Sequence, residues 1–264
     1  MYRPIIFVTG PNTGLGLEIV KSLFQFATFY TVLLGSRRED NADLAVQQLA
    51  AEFPDSATVV TPVQVDIEDD KSIQQAFDFI AKQHSRVDGL INNAGKVETC
   101  QIWGTQSIET VCSQKSNPGA QFDSQMYSRD LTMREMWNKS WNVNATGTQI
   151  LTHTFVPLLL ESGDPRLLFI TSGTSPLTET DNLDLPFNRA PAKGWPKSSP
   201  AISAYRSSKS GEHDDARMDA NPPRGRREDL VRFAGLFGHR IRRGCEAEQA
   251  DGCHRPSYWG EHYA

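Results

Sequence analysis

The sequence lacks several features that mark specialised classes of protein. It has four cysteines in 264 residues, too few for a scaffold held together by disulfides. No apolar run approaches the length of a membrane span, and the first residues have no basic region and only a short apolar run, so no signal peptide is apparent. A net charge of −5 gives no attraction for nucleic acid or for an anionic membrane. We therefore expect a soluble cytoplasmic protein, with enough chain for one α/β domain.

The stretch from Pro4 to Gly16 organises the rest of the chain. It reads as a short buried strand over residues 5–8, a glycine-rich turn and the first turn of a helix. A backbone that curls against a pyrophosphate leaves no room for Cβ atoms, and a helix N-terminus offers free N–H groups and a positive dipole end. The pattern favours a phosphate-binding turn; a glycine-rich hairpin or helix cap is the alternative.

Strands and amphipathic helices alternate through the first two thirds of the chain. Strands are predicted over residues 5–8, 31–34, 58–65, 87–91 and 166–171, and apolar positions at helical spacing over residues 16–23, 46–53, 73–80 and 137–160. Such alternation is typical of βαβ units, which build a doubly wound parallel sheet with helices on both faces. Ligands of these sheets bind beyond the carboxyl ends of the strands.

The end of the second strand indicates which dinucleotide the turn would bind. A site for NAD places an acidic residue there to hold the ribose 2′-hydroxyl. This chain has Ser36 and Arg37 instead, and a guanidinium attracts a 2′-phosphate. The residues favour NADP(H), although Arg37 and Arg38 could also be a solvated basic pair.

Two further patterns fall in predicted helices. Asn144 lies in the middle of a long apolar helix, where asparagine is unfavourable, so it indicates a bend or a functional role. Tyr205 and Lys209 are four residues apart and share a helix face. We expect the Lys209 ammonium to stabilise the phenolate and to lower the pKa of Tyr205 from about 10 toward neutrality, where it serves as an acid or base.

In combination these residues resemble the short-chain dehydrogenase/reductase family, and within it the carbonyl reductases. The motifs occur in the family's order across residues 1–211: Thr9-Gly10-x-x-x-Gly14-x-Gly16, Asp66, Asn92-Asn93-Ala94-Gly95, Asn144, Ser172 and Tyr205-x-x-x-Lys209. Arg37, and Gly194-Trp195-Pro196 in a long insert, are the features similar to carbonyl reductases. The resemblance implies a single Rossmann domain and an NADP(H)-dependent oxidoreductase that reduces a ketone, aldehyde or quinone, or oxidises the alcohol.

The resemblance also implies a role for each matched residue. Tyr205 would protonate the carbonyl oxygen as NADPH delivers hydride, and Lys209 would tune Tyr205 and bind the nicotinamide ribose. Ser172 would hydrogen-bond the carbonyl, and Asn144 would hold a water that relays protons to Lys209. The residues implied in cofactor binding are Gly10, Asn12, Thr13, Gly14, Leu15, Gly16, Ser36, Arg37, Asp66, Ile67, Asn93, Ala94, Gly95, Tyr205 and Lys209. No metal is implied. Family members often pair through the helices that correspond to those bearing Asn144 and Tyr205, so the resemblance allows a homodimer.

Residues 96–119 depart from the family pattern. The chain spends 49 residues between Gly95 and Asn144, far more than the family usually needs, and the segment has no periodicity. Gly95-Lys96 can be encoded GGT AAG, with a splice-donor string, and residues 116–119 can be encoded TCT AAC CCA GGC, with a branch-like string and an acceptor. We interpret residues 96–119 as a translated intron. A genuine surface insertion is the alternative, and the sequence of the mature transcript across codons 90–125 decides between them.

The chain after Gly211 departs as well. Residues 212–264 carry nine arginines, no lysine and four of the six histidines. Back-translated and read one base later, residues 212–219 give Asn-Met-Met-Met-Arg-Glu-Trp, which continues a helix. The same shift around residues 230–238 gives Trp-Cys-Val-Ser-Pro-Gly-Phe-Leu, a strand followed by the Pro-Gly that the family places beside the nicotinamide. We interpret residues 212–264 as a frameshifted, poorly ordered tail and expect strands six and seven of the sheet to be missing; the transcript across codons 205–264 tests this.

The tail has other interpretations. Cys245, Cys253, His239 and His254 are zinc-ligand types, but no Cys-x-x-Cys pair anchors them. The arginines could contact nucleic acid, but ten acidic residues in the same segment leave no net positive charge. Loss of two strands would expose an apolar sheet edge and face. The alternative to an active reductase is therefore a non-catalytic or unstable nucleotide-binding remnant.

Overall fold

A parallel sheet with helices on both faces forms the body of the molecule. The computed structural model describes residues 2–95, 132–172, 175–177, 183, 193, 203–219 and 231–236, with the backbone alone for 213–219 and 231–236. The strands are β1 Ile5–Thr9, β2 Thr31–Ser36, β3 Val59–Gln64, β4 Gly89–Asn92, β5 Arg166–Ser172 and β6 Val231–Leu236. The helices are α1 Gly14–Phe24, α2 Glu39–Glu52, α3 Asp70–Gln83, α4 Met133–Trp141, α5 Thr148–Leu160 and α6 Ser203–Asp219. This is the doubly wound fold that the sequence predicts.

The order of the strands determines where a ligand can bind. They lie in the order β3-β2-β1-β4-β5-β6, and every pair is parallel. The direction of winding reverses between β1 and β4, where Phe7 pairs with Leu90 and Val8 with Ile91. A crevice opens outside the carboxyl ends of the strands at such a reversal. The glycine turn after β1 and the Asn-Asn-Ala-Gly segment after β4 lie at this position.

The expectation that the sixth strand is missing is wrong for the chain as written. Residues 231–236 form β6 and pair with β5 from Leu167↔Val231 to Ser172↔Leu236. Without β6, the backbone N–H and C=O groups on that side of β5 would lack sheet partners. Val231, Phe233 and Leu236 are residue types compatible with a strand, so the written frame can supply one. No seventh strand occurs among the residues that the structure describes.

Two apolar clusters cover the two faces of the sheet. Alternate residues of each strand point to opposite faces, so Phe7 belongs to one cluster and Val8 to the other. The Phe7 side packs against α3 to α6, and the Phe155 ring lies 4.9 Å from the Phe7 ring and 5.5 Å from the Phe77 ring, centroid to centroid. The Val8 side packs against Leu17 and other residues of α1 and α2. Burial on both faces explains why the inner strands read as continuous apolar runs.

The predicted long helix around Asn144 is interrupted. Residues Asn142–Gly147 form a π-helical turn between α4 and α5. A Cβ atom at Gly147 would overlap the carbonyl oxygen of Ile67, so glycine lets this turn approach the end of β3 closely. Single π-helical turns are frequent at functional sites. The expectation that mid-helix Asn144 marks an irregularity is therefore confirmed.

The last described helix crosses the boundary that the sequence suggested at Gly211. α6 continues to Asp219, so the first residues of the proposed tail belong to the helix that carries Tyr205 and Lys209. The insert at residues 96–119, most of the loop over 173–200 and the tail cysteines lie outside the described residues. Among the helices that the structure describes, none combines the length and the hydropathy needed to cross a membrane.

The buried carboxylate of Asp88 joins three segments of the chain at the amino ends of the strands. Asp88 is 4% exposed and accepts hydrogen bonds from Tyr2 Oη (2.6 Å), Ile5 N (2.8 Å), Arg86 Nε (3.0 Å) and Ser162 Oγ (2.6 Å). Burial by itself would raise the pKa of Asp88, but the hydrogen bonds from Ser162, Tyr2, Ile5 and Arg86 outweigh it and hold the pKa below 3.8. Asp88 thus ties the start of β1 and the end of α5 to β4.

We expect Asp88→Asn to destabilise the fold, because the amide accepts fewer of these hydrogen bonds and brings donors of its own. The free energy of unfolding should fall by about 1–3 kcal/mol, measured by urea denaturation. Asp164→Asn is the matched control, since Asp164 is 77% exposed and pairs with Arg166 at the surface. Equal stability of the two variants at neutral pH would contradict this role.

The same variant also tests the pH dependence. Because the pKa of Asp88 is lower in the folded than in the unfolded chain, its stabilisation is complete above about pH 4 and is lost as the pH falls through the folded value. The difference in stability between wild type and Asp88→Asn should therefore shrink in acid.

Candidate active site

The turn after β1 has the backbone shape that a phosphate requires. Gly10 and Gly14 adopt positive φ angles of 65° and 57°, which side chains with a Cβ rarely tolerate. A Cβ at Gly14 would meet nothing within 4 Å, so the backbone faces open space there. The Thr13 side chain makes no cap hydrogen bond and the first turn of α1 holds no acidic residue. The N–H groups of α1 thus remain available to an anion.

Hydrogen bonds from the end of β4 fix the shape of this turn. Asn93 Nδ2 donates to the carbonyl oxygens of Thr9 (2.9 Å) and Gly10 (3.1 Å). Thr9 Oγ1 accepts from the backbone N–H groups of Asn93 (3.1 Å) and Ala94 (2.9 Å). A Cβ at Gly16 would overlap Asn93 Nδ2 and approach Gly10 O at 2.7 Å, so Gly16 allows α1 to begin this close. Asn93 therefore orders the turn, whatever contact it makes with a cofactor.

The ends of β2 and β3 lie beside the same crevice. Ser36 is buried, and its hydroxyl donates to the carbonyl oxygen of Arg38 at 3.0 Å. The Arg37 side chain is 55% exposed, with Nη1 3.8 Å from the carboxylate of Glu68. Asp66 Oδ1 accepts from Glu68 N at 3.0 Å and so shapes the turn before α3. The Arg37 and Arg38 side chains are 55% and 67% exposed, so both guanidinium charges remain accessible to a ligand here.

The remaining implied cofactor residues surround the crevice. Asn12 and Leu15 are partly buried in the turn and in α1, and Thr13 is exposed. Ile67 is buried beneath the π-helical turn. Backbone amides, an accessible guanidinium and an open glycine turn fit the phosphates of a dinucleotide. The residues present are therefore compatible with the nicotinamide cofactor that the sequence implies.

Tyr205 and Ser172 meet at the carboxyl end of β5. A hydrogen bond joins their side chains, although 33 residues separate them in the sequence. β5 ends at Ser172 and Tyr205 lies in the first turn of α6, so the parallel sheet and the helix packed on it bring the two hydroxyls together. A carbonyl oxygen placed between these hydroxyls could accept hydrogen bonds from both.

Lys209 lies one helical turn beyond Tyr205 but points its ammonium into the protein. The side chain is 2% exposed, and Nζ donates to the carbonyl oxygen of Ile170 (2.9 Å) and to Glu212 Oε2 (2.7 Å). Glu212 is 1% exposed. The ammonium is therefore held in a buried ion pair with a residue of its own helix.

The π-helical turn brings Asn144 to the same place. Asn144 Nδ2 donates to Ser208 Oγ (3.0 Å), which donates to the carbonyl oxygen of Tyr205 (2.9 Å). A Cβ built on Gly95 would lie 3.3 Å from Asn144 Oδ1 and 3.4 Å from Lys209 Nζ. Asn144 and Lys209 thus converge on the Gly95 backbone. The structure brings all four predicted catalytic residues to one end of the sheet.

The predicted effect of Lys209 on Tyr205 is wrong for this structure. Burial raises the pKa of Tyr205 to about 12; the hydrogen bond with Ser172 opposes this rise, and the charge of Glu212 adds to it. The expectation of a value near neutrality counted the Lys209 ammonium and no opposing charge. Glu212 supplies that opposing charge in the ion pair with Lys209.

Two site residues were missed by the sequence reasoning. Ser208 is fully buried between Asn144 and the Tyr205 backbone, and no motif distinguishes it from its serine neighbours. Glu212 had a visible signal, since its i, i+3 spacing from Lys209 favours an ion pair on a helix. Interpreting Glu212 as the first residue of a tail hid that signal. Among the described residues, no group of three or more His, Cys, Asp and Glu could hold a metal ion.

Comparison with a family of known proteins agrees with this geometry. A family model described as short chain dehydrogenase matches residues 4–180, which span β1 to β5. The matched region includes the glycine turn, the Asn-Asn-Ala-Gly segment, Asn144 and Ser172.

Curated relatives are similar over most of this chain. A short-chain dehydrogenase/reductase named eupG from Phoma sp is 41% identical over 211 residues, covering 78% of this chain and 67% of the relative. One named tropE from Talaromyces stipitatus is 38% identical over 204 residues, covering 77% of this chain and 65% of the relative. The chain therefore spans about two thirds of the length of these relatives.

Solved structures share the fold at low sequence identity. An alcohol dehydrogenase from Thermococcus sibiricus, complexed with 5-hydroxy-NADP, aligns with a TM-score of 0.58 and 19% identity, over 89% of this chain and 75% of the other. A metagenomic short-chain oxidoreductase in complex with NADP aligns with a TM-score of 0.58 and 18% identity, over 90% of this chain and 83% of the other. With the motif order, the strand order and the curated relatives in agreement, the chain belongs to the short-chain dehydrogenase/reductase family.

Proposed function

We propose that this chain is an NADPH-dependent carbonyl reductase that uses Tyr205 as its proton donor. The observation that carries the proposal is the hydrogen bond between Tyr205 and Ser172 at the carboxyl end of β5, beside the crevice. Two hydroxyls that share a hydrogen bond can instead bind one carbonyl oxygen between them. The proposed substrate is a small ketone, aldehyde or quinone, and the reverse reaction is oxidation of the alcohol.

Each residue has a definite task in this proposal. When bound, NADPH supplies a hydride to the carbonyl carbon. Ser172 hydrogen-bonds the carbonyl oxygen, and Tyr205 gives that oxygen the proton which completes the alcohol. Lys209 and Asn144, which converge on Gly95, return a proton to Tyr205 through water. Burial raises the pKa of Tyr205 to about 12, so the phenol carries its proton at neutral pH, as a proton donor must.

Three observations support NADP(H) as the cofactor. The Arg37 side chain is 55% exposed at the end of β2, where a 2′-phosphate would lie. Its partner Glu68 is 3.8 Å away, which is a weak contact for a charged pair. Structures of the same fold from Thermococcus sibiricus and from a metagenome contain 5-hydroxy-NADP and NADP. A cytoplasmic location and a homodimer are also parts of the proposal; the location rests on the sequence composition and the homodimer on the family.

A second candidate is a nucleotide-binding protein without turnover. The buried ion pair of Lys209 with Glu212 favours it, because the ammonium that should support Tyr205 is already neutralised. The glycine turn and Arg37 lie apart from this pair and would still bind the dinucleotide. The two candidates therefore differ in turnover and agree in binding.

Tyr205→Phe tests the reductase directly. Removing the phenol hydroxyl should lower kcat for NADPH oxidation with a reactive ketone or quinone by roughly 10²- to 10⁴-fold, because general acid catalysis is lost. Binding of NADPH, followed by quenching of tryptophan fluorescence, should persist. Tyr30→Phe is the matched control, since Tyr30 is also partly buried but precedes β2, at the amino ends of the strands rather than the carboxyl ends. Undiminished turnover in Tyr205→Phe would reject Tyr205 as the proton donor.

Arg37→Asp tests the cofactor preference. A carboxylate at the end of β2 repels a 2′-phosphate and accepts hydrogen bonds from ribose hydroxyls. The ratio of the Kd values for NADPH and NADH should rise at least roughly tenfold. Arg3→Asp makes the same charge change on an exposed residue before β1, away from the crevice, and should leave the ratio unchanged. An unchanged ratio in Arg37→Asp would remove Arg37 from the site.

A further inference from the structure

The ion pair between Lys209 and Glu212 is the most buried charged contact that the described residues contain. Both side chains are at most 2% exposed, and the Nζ–Oε2 distance is 2.7 Å. The other short Lys–Glu pair, Lys21 with Glu52 at 2.6 Å, has side chains 15% and 44% exposed. A buried pair interacts strongly because water screens it little. Glu212 therefore has the strength to control where the Lys209 ammonium lies.

Two contacts use most of the hydrogen-bonding capacity of Lys209. An ammonium has three N–H donors, and the contacts with Ile170 O and Glu212 Oε2 take two of them. The Nζ atom lies against Gly95, on the side where Asn144 Oδ1 also points. A contact with two hydroxyls of a cofactor ribose would need two donors on that side. Lys209 can supply them only by giving up Ile170 or Glu212.

Glu212 also acts on Tyr205 along the helix. The two residues are seven apart, or two turns of α6, and so share its inner face. The negative charge of Glu212 disfavours the phenolate. Two further contacts here are with neutral groups, the Ser172 hydroxyl at Tyr205 and the Ile170 carbonyl at Lys209.

We propose that Glu212 is a positioning residue that holds Lys209 in the protein interior and thereby restrains both cofactor binding and proton exchange at Tyr205. This inference rests on the proposed function, because it assumes that a dinucleotide binds beside Gly95. It applies to the chain as written, in which the first residue after Gly211 is Glu212. Replacement of that carboxylate by a neutral side chain should release Lys209 toward the crevice.

The test compares the wild-type chain of 264 residues with Glu212→Gln, which keeps an acceptor oxygen of similar reach and removes the charge. We expect NADPH to bind Glu212→Gln roughly tenfold more tightly, by tryptophan fluorescence quenching, because a charge-assisted hydrogen bond no longer competes for Lys209. Alcohol oxidation, which needs the phenolate, should gain more in kcat than carbonyl reduction does. The pH at which oxidation begins to rise should move lower, because the opposing charge near Tyr205 is gone.

Two further variants separate positioning from simple packing. Glu212→Asp keeps the charge and should behave more like wild type than Glu212→Gln in both assays. Glu52→Gln removes the carboxylate of the comparably short Lys21 pair at an exposed site, and should change neither NADPH binding nor the pH profile. Thermal melts of every variant show whether the fold is retained. If both Glu212→Gln and Glu212→Asp unfold, Glu212 is a core residue and the proposal is overturned.

The binding measurement distinguishes failure of this inference from failure of the proposed function. Wild type that binds NADPH, with a folded Glu212→Gln that binds it no more tightly and shows the same pH profile, would reject the role of Glu212 and leave the reductase proposal standing. Wild type and variants that all fail to bind NADPH would reject both.

Discussion

The site depends on one set of hydrogen bonds, between Thr9 at the end of β1 and Asn93 after β4. The side chain of Asn93 binds the carbonyls of Thr9 and Gly10, and the Thr9 hydroxyl accepts from the backbone of Asn93 and Ala94. These contacts join the two strands at the point where the sheet reverses its winding. They hold the glycine turn open toward an anion and place Gly95 against Lys209 and Asn144. The phosphate end and the reacting end of the site are thus fixed by the same junction.

Most of the fold follows from periodicity, and that is why the sequence predicts it. Strands buried on both faces read as apolar runs, and the helices between them show apolar faces at helical spacing. The carboxyl ends of parallel strands lie at one end of the sheet, so the sequence already predicts that Gly10, Asn93 and Ser172 lie on the same side of the molecule. Tyr205 and Lys209 were predicted to be neighbours because residues four apart lie on the same face of a helix.

The failures of prediction have physical causes too. The sequence marks an irregularity at Asn144, but the form that it takes, a π-helical turn over Asn142–Gly147 packed against Ile67, involves a tertiary contact that local spacing does not encode. β6 was not expected because residues 231–236 were assigned to a tail, whereas the free side of β5 offers a template for any compatible segment. The pKa of Tyr205 was predicted in the wrong direction because burial and Glu212 both act on it. Burial is a property of the packed molecule that motif spacing does not give, whereas the spacing of Lys209 and Glu212 did signal their pairing and was hidden by assigning Glu212 to a tail.

We propose that this chain transfers hydride from NADPH to a carbonyl carbon. The most direct measurement incubates the full-length chain with NADPH deuterated at the transferable position and a panel of ketones, aldehydes and quinones, and analyses the products by mass spectrometry. We predict that the chain forms an alcohol from a ketone or aldehyde, or a quinol from a quinone, and that no product forms without the chain. The alcohol should carry one deuterium on the former carbonyl carbon. Binding of NADPH with neither a deuterated alcohol nor a quinol formed, for every substrate tested, would contradict this and leave a nucleotide-binding protein without turnover.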